Sequence, residues 1–427
     1  MTDEIPCYQL PYRIPETLRD SVEHELSQML QDGIIQYDDE TSHNSLLVIV
    51  KKKDKGLRLC NNFIALNNKT VTEPYMMTNM TELLSRVAGS MFITCIDLRT
   101  FFFQIELEPG SKKYTGFQTP FGFFSYLRMP QGLKNAPSTA QKLINMILRG
   151  LHRFAGSLID DIVIFSMHFD DHLNHVRQVL ERLRDAGLTA NTNKCQFAEN
   201  KLLVLGHFLE NGRIYPDQGK VKAVLEWPVP RTKTQLKSFL GLAGFFRQYI
   251  SHFAMIAFPL TELVKTGSPE RLKWTDTEQE AFYGLRSALS PRPVLKPPDI
   301  TKDFQLFVDS SRVANSVILM QTGNENDNPL GHVICYASRK LLPRERLYPI
   351  VELELAAICF GLLKFKHYVY GKHIDVYSDH APLRYLNNLS KHSSRLARYN
   401  TIIQEFDITP HHISGKRQIA DALTRQE

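Results

Sequence analysis

Residues 92–98 read FITCIDL and residues 158–166 read LIDDIVIFS. Both are runs of β-branched and aromatic residues, the composition of a buried strand. Both are interrupted by acid: Asp97 closes the first, and Asp160 and Asp161 lie between two apolar runs, as at a hairpin turn. A strand-end carboxylate with a second carboxylate nearby is what nucleotidyl transfer asks for. Hard divalent cations take carboxylate oxygens, and two of them about 3.5–4 Å apart clamp the attacking and leaving oxygens of a phosphoryl transfer. Aspartate is also a common turn residue, so spacing alone leaves Asp160-Asp161 open between a metal pair and a plain turn.

Outward from these stretches the chain divides into three blocks. Residues 1–215 mix strand-like runs (Leu46–Val50, Phe92–Leu98, Leu158–Phe165, Leu202–Leu209) with helical ones, including a helix after Asp170 in which Leu173, Val176, Leu180 and Leu183 recur at helical spacing. Residues 216–300 read as mainly helical, with Pro228 and Pro230 separating two short apolar stripes. Residues 301–427, after the linker-like PRPVLKPPD, run strand (Phe304–Val308), further strands to about Ser338, helix (Val351–Lys366) and strand (Ile374–Ser378). The order is that of an α/β (α+β) protein.

Bulk properties bound the function. At 427 residues, two to four domains of roughly 100–200 residues are expected. A net charge of +6 suits a polyanionic partner without requiring one. The six cysteines form no CxxC pair, which predicts reduced thiols and an intracellular, cytoplasmic setting rather than a disulfide or zinc scaffold. No apolar run approaches the roughly 20 residues of a membrane span, and the opening MTDEIPCYQLPYRIPE is too polar for a signal peptide.

The third block holds a second acidic set: Asp309 ending FQLFVDS, a glutamate in VELELAAICFGL, Asp379 after IDVYSD, and Asp421 in GKRQIADALTR. Helical phase does not choose between Glu352 and Glu354, since both lie at the margins of the stripe Val351, Leu355, Ile358 and Leu362. His168, His172 and His175 near Asp170 have zinc-like spacing but no fourth ligand, and they read as a surface helix start. His411 and His412 read as part of a strand.

FITCIDLRTFFFQIEL, TGFQTPFGFFSYLRMPQGLKNAPSTAQKLIN, LIDDIVIFS and NKCQF…VLGH occur in the order found in gypsy-like LTR retrotransposon Pol proteins, and the chain resembles their reverse transcriptase plus RNase H region over essentially its whole length. YASRKLLPRERLYPIVELELA, VYSDHAPLRYL and GKRQIADALTR carry the RNase H part, and WPVPRTKTQLKSFLGLAGFFRQYI with LKWTDTEQEAF resembles a thumb and connection. The resemblance implies a right-hand polymerase with fingers and palm in 1–215, thumb and connection in 216–300, and an RNase H-like domain in 301–427. It implies two Mg²⁺ per active site, with Mn²⁺ also accepted. Asp97, Asp160 and Asp161 would be ligands in one site; Asp309, Glu354, Asp379 and Asp421 would be ligands in the other. Lys52 and Arg58 would grip the triphosphate, and Phe102 would gate against a ribose 2′-hydroxyl. Gln131 and Gly132 would line the nucleotide, and Lys194 would protonate pyrophosphate. Lys233, Lys237 and Arg247 would touch phosphates, a reading that a solvated helix face matches equally well. The implied partners are dNTPs, an RNA or DNA template-primer and RNA–DNA hybrids, without a membrane, in the cytoplasm or a virus-like particle. Protease and integrase motifs are absent, which predicts a piece of a longer polyprotein or a shortened locus.

The pattern is altered at several positions. Asn62 and Ile64 stand where an acid and an arginine are usual, and Leu158 where an aromatic is. Phe101 and Phe103 flank the gate, and Ala314 and Ser316 replace glycines. Phe101 is therefore expected to crowd the nucleotide site, and Ala314 and Ser316 to be strained if their backbone needs positive φ. The rival reading is a nucleic-acid-binding relic, or a chain that keeps one of the two activities.

Overall fold

The computed structural model describes residues 5–51, 56–210, 212–290, 293–322, 331–379 and 394–413. It forms two compact units, one of residues 1–83 with 90–199 and the other of residues 84–89 with 200–427.

In the first unit the two acidic stretches pair. A four-stranded antiparallel sheet runs in the order Ala155–Leu158, Asp161–Ser166, Phe92–Asp97, Gln196–Glu199. Ile96, Ile162 and Ile164 pack with Ala140, Ile144 and Ile147 of the helix Ala136–Ile147 and with Val179 and Leu183 of the helix Phe169–Asp185. That cluster encloses Phe101, which is 2% exposed. The ring does not crowd a nucleotide site, because burying a phenyl group is worth about 2–3 kcal/mol and the core has room for it. A second core joins Val22, Leu26 and Met29 of the helix Arg19–Gln31 to Leu47, Leu59, Phe117, Phe124 and Tyr126. These last residues come from a hairpin (Leu46–Lys51 with Leu57–Asn62) and a three-stranded sheet ordered Ile35–Tyr37, Gly122–Tyr126, Phe117–Thr119. Asn62 accepts the N–H of Ile64 (3.0 Å) at the start of a short helix, and Ile64 points outward.

The second unit opens with a three-stranded meander, Lys201–Val204, His207–Glu210 and Arg213–Pro216. The run Leu202–Leu209, expected as one strand, is folded in two. Leu205 and Gly206 both have positive φ (52° and 80°), the two-residue turn that matches strand twist. Helices follow; Lys233–Phe245 and Asp276–Ser287 each start in a capping box. A five-stranded sheet then runs His332–Lys340, Ala314–Gln321, Phe304–Ser310, His373–Ser378, Asp407–His412, antiparallel for three strands and parallel for the rest. The helix Ile350–Lys364 covers one face, with Leu355, Ile358 and Leu362 against Phe304, Leu306, Val308, Val317 and Leu319. Ala314 and Ser316 are buried in ordinary strand backbone and carry no positive-φ strain.

No helix among the described residues is long and apolar enough to cross a membrane.

Candidate active sites

Antiparallel register sets Asp97 directly opposite Asp161, and Leu158 pairs with Asp161 on the other side. The hairpin connection is thus Ile159-Asp160, and Asp160 projects at its tip. Ile159 has φ +57°, a conformation a β-branched residue rarely accepts. Its N–H is held by Gln141 Oε1 at 2.8 Å. Gln141 is fully buried, and its amide nitrogen donates to Asn145 Oδ1 (2.9 Å) and to Ser157 Oγ (3.0 Å). This residue was not nominated by motif, although a polar side chain in the apolar phase of Ala140 and Ile144 was a signal.

The three carboxylates feel one another. Burial and then the charges of Asp160 and Asp97 push the Asp161 carboxyl up to about 6, and Lys194 opposes the shift. Lys194 Nζ lies 3.6 Å from Asp97 Oδ2. Its loop is tied to the strand end by Asn191 N–H to Asp97 O (2.8 Å) and by Arg99 N–H to Thr189 O (3.0 Å). Lys194 is two-thirds exposed, so the pair is weak.

A cleft of about 540 Å³ brings Arg58 and Gln131 together with Arg99, Thr100 and Phe103. Phe102 and Lys194 are not among its lining residues: Phe102 packs against the core beside Phe101, and Lys194 stays with Asp97. Phe103 stacks nearly parallel to Tyr126, whose hydroxyl donates to Asn61 Oδ1 (2.8 Å). Gly132 has φ +97°, and its carbonyl accepts from Asn67 Nδ2 (2.8 Å). Lys52 lies outside the described residues.

Behind the sheet, His172 is 1% exposed rather than at the surface. Its ring bonds Thr94 Oγ1 (2.7 Å) and Ser166 Oγ (2.9 Å), and Ser166 Oγ also meets His175 (2.8 Å), which stacks on Phe154. Burial holds both imidazoles below their ordinary pKa. Both nitrogens of His172 are already used in packing.

In the second unit Asp309 ends the central strand, and Asp379 follows the parallel strand His373–Ser378 beside it. Glu354 is 1% exposed and accepts the Ser378 hydroxyl at 3.0 Å, whereas Glu352 pairs with Arg395. The register therefore brings Glu354 beside the residue that precedes Asp379. Asp309 and Asp379 line one small cavity of about 30 Å³ with Phe307, Ser316, Tyr377 and His252. His411 lies on the strand Asp407–His412, stacked on Tyr377 and bonded to Asp375 (2.7 Å). Asp421 lies outside the described residues. Of the cations expected on phosphate, Lys233 is bound to the carbonyls of Lys265 (2.6 Å) and Ser268 (3.3 Å), and Arg247 to that of Ser338.

Among the described residues, no group of three or more His, Cys, Asp or Glu side chains is gathered closely enough to grip a metal ion. The donor chemistry nonetheless fits one. In the first unit three hard oxygen donors lie at one sheet end, and a divalent cation there would offset both the burial and the neighbouring charges that raise Asp161.

Residues 50–209 match the family described as reverse transcriptase (RNA-dependent DNA polymerase), and residues 299–406 match the RNase H-like domain found in reverse transcriptase. The chain is 35% identical over 434 residues to the retrovirus-related Pol polyprotein from transposon 297 of Drosophila melanogaster, covering 99% of this chain and 40% of that protein. Against the Pol polyprotein from transposon gypsy of the same organism the identity is 31%, covering 99% and 42%. The chain thus spans about two fifths of the length of these relatives. Among solved structures it is similar to the foamy viral protease-reverse transcriptase dRH in complex with ds DNA, with TM-score 0.84 and 20% identity over 96% of this chain and 72% of that one. The same viral protein with an RNA/DNA hybrid gives TM-score 0.81 and 21% identity, over 96% and 55%. At that identity the likeness is one of fold.

Proposed function

The chain belongs to the reverse transcriptase family of gypsy-like LTR retrotransposon Pol proteins, with the RNase H-like domain in place, and from this premise we propose that it is an RNA-directed DNA polymerase whose C-terminal part degrades the RNA of RNA–DNA hybrids. The observation that supports this most directly is the pairing of Asp97 with Asp161 across adjacent strands, with Asp160 at the tip of the turn. Three carboxylates at one sheet end are the hard oxygen donors that divalent cations take.

In the polymerase half, Asp97, Asp160 and Asp161 would hold two Mg²⁺, or Mn²⁺. Bound ions supply charge neutralisation at the attacking and leaving oxygens. The protein does the rest by placement. Arg58, with Lys52, grips the triphosphate of a dNTP, where a cation offsets the charge that develops. Gln131 and Gly132 line the nucleotide, and the open backbone at Gly132 lets the chain turn there. Phe102 bars a ribose 2′-hydroxyl. Lys194, kept at the strand end by its loop, gives a proton to the departing pyrophosphate. The primer 3′-hydroxyl belongs to a template-primer of RNA or DNA.

In the nuclease half, Asp309, Glu354, Asp379 and Asp421 would hold a second pair of metal ions, and the hybrid is recognised through backbone shape and 2′-hydroxyls. Fingers and palm fall in 1–215, thumb and connection in 216–300, and the RNase H part in 301–427. All six cysteines are free thiols, which suits the reducing cytoplasm or a particle assembled there.

Primer extension on an RNA template with Mg²⁺ tests the first half: DNA product is expected from the unaltered chain and none from Asp160→Asn. Absence of product from folded protein in either Mg²⁺ or Mn²⁺ would refute it. Cleavage of a labelled hybrid, lost in Asp379→Asn, tests the second half independently.

A further inference from the structure

We infer that His252 is a positioning residue of the nuclease site, holding the Asp309 carboxylate from a segment that precedes the RNase H-like domain. The inference rests on the reading of Asp309 as a metal ligand. His252 Nδ1 lies 3.3 Å from Asp309 Oδ2, and both side chains line the cavity that Asp379 shares. Nδ1 is shut off from solvent and forms no aligned hydrogen bond, so this carboxylate oxygen is the group it faces. A modest rotation of the ring converts the contact into a donated hydrogen bond, the kind of second bond that orients a ligand carboxylate.

The backbone around His252 is arranged to keep it there. Its φ is +53°, and its carbonyl accepts the N–H groups of Met255 (2.9 Å) and Ile256 (3.0 Å), starting the short helix Phe253–Ile256. The Ala254 N–H donates to Ser338 Oγ (2.9 Å), and the Arg247 guanidinium donates to Ser338 O. Ser338 pairs with Ser316, and Ser316 pairs with Asp309, across three neighbouring strands. The segment is therefore anchored on the register row that contains Asp309, on both sides of His252. That residue falls outside the 299–406 span of the RNase H-like match. The nuclease site is thus completed by the preceding block.

The test uses the full chain with Asp97→Asn, Asp160→Asn and Asp161→Asn combined, so that the ion binding measured is that of the nuclease site. Two variants keep the left-handed backbone accessible: His252→Gly, which has no donor, and His252→Asn, which retains one and tolerates positive φ. Mn²⁺ is titrated into protein free of nucleic acid and bound ion is counted from the loss of the free-ion EPR signal. Thermal unfolding checks that each variant is folded. Loss of an orienting partner typically weakens metal binding or activity about 10–100-fold, so His252→Gly is expected to bind Mn²⁺ at least about tenfold more weakly, with His252→Asn restoring most of the loss. Half-saturating Mg²⁺ in hybrid cleavage is expected to move in the same order. Unchanged Mn²⁺ affinity in folded His252→Gly, with Asp309→Asn abolishing binding, would overturn the role of His252 alone. Retained binding and cleavage in Asp309→Asn would overturn the reading of Asp309, and this inference with it.

Discussion

Replacing Gln141 by leucine is expected to slow the polymerase far more than it destabilises the protein. The substitution roughly conserves volume and removes every hydrogen bond the amide makes, to Ile159 N–H, Ser157 and Asn145. Two groups then lose a partner without gaining water: the Ile159 N–H and the Ser157 hydroxyl, the latter on a residue 2% exposed. Each such group costs about 1–3 kcal/mol, and the added apolar burial of leucine returns roughly 1 kcal/mol. The net loss of stability is about 1–5 kcal/mol, which a chain with roughly 5–15 kcal/mol of stability survives. The turn is affected differently. Ile159 at φ +57° stores about 1–3 kcal/mol of backbone strain, held in place by the bond from its N–H to Gln141. Without that bond the turn relaxes, and Asp160 and Asp161 move with it. A displacement of about 1 Å at a reacting centre lowers the rate on the order of 100-fold. Single-turnover addition of one dNTP measures that loss, a thermal melt measures the stability, and hybrid cleavage serves as an internal control because Gln141 belongs to the first unit. Extension within threefold of the unaltered chain would refute the reasoning, whatever the melt shows.

Other outcomes follow from the same geometry. Burial, and next the nearby Lys220, hold His207 down to about 4, below its ordinary 6.5. The neutral ring's contribution is therefore complete above pH 6.5 and is lost as pH falls towards 4, about 3 kcal/mol in all; urea melts of His207→Phe should lack that slope. In metal-free protein the Asp161 carboxyl should titrate near 6 by carbon NMR, and added Mg²⁺ should release its proton and carry the transition downwards. Gly132→Ala must adopt φ +97° with a side chain, and a severalfold higher KM for dNTP at steady state is expected, with hybrid cleavage unchanged. Ser378→Ala removes the hydroxyl that Glu354 accepts; hybrid cleavage should fall about tenfold, as for one charged hydrogen bond of about 1.5 kcal/mol, with no change in primer extension.

Much of this was readable beforehand, for definite physical reasons. The strands around Asp97 and Asp161 are β-branched runs ending in acid, and a period of two with a polar terminus survives folding intact. The strand run Leu202–Leu209 misled because a turn of Leu and Gly interrupts it without a polar residue to mark the break. The choice between Glu352 and Glu354 was out of reach of periodicity because the helix is buried on nearly every side: residues 353–359 are all buried, so no polar face sets the phase. The expected crowding by Phe101 failed because a ring beside a site can turn into the core as readily as into the cleft, and sequence carries no sign of which.

What the chain's pattern of acids could not reveal is how each acid is held, and the two sites answer that question in the same way. Ionised carboxylates repel one another, and a divalent cation held between them offsets that repulsion. Uncharged partners on separate elements hold the acids' surroundings without adding charge: Gln141 Oε1 accepts the turn's Ile159 N–H rather than touching the aspartates themselves, and the Ser378 hydroxyl donates one hydrogen bond to Glu354. His252 likewise faces Asp309 from a separate element. Such partners are distant in sequence and ordinary in type, so only the folded arrangement identifies them. The acids declare the chemistry, and the uncharged groups behind them determine whether the acids stand where the chemistry needs them.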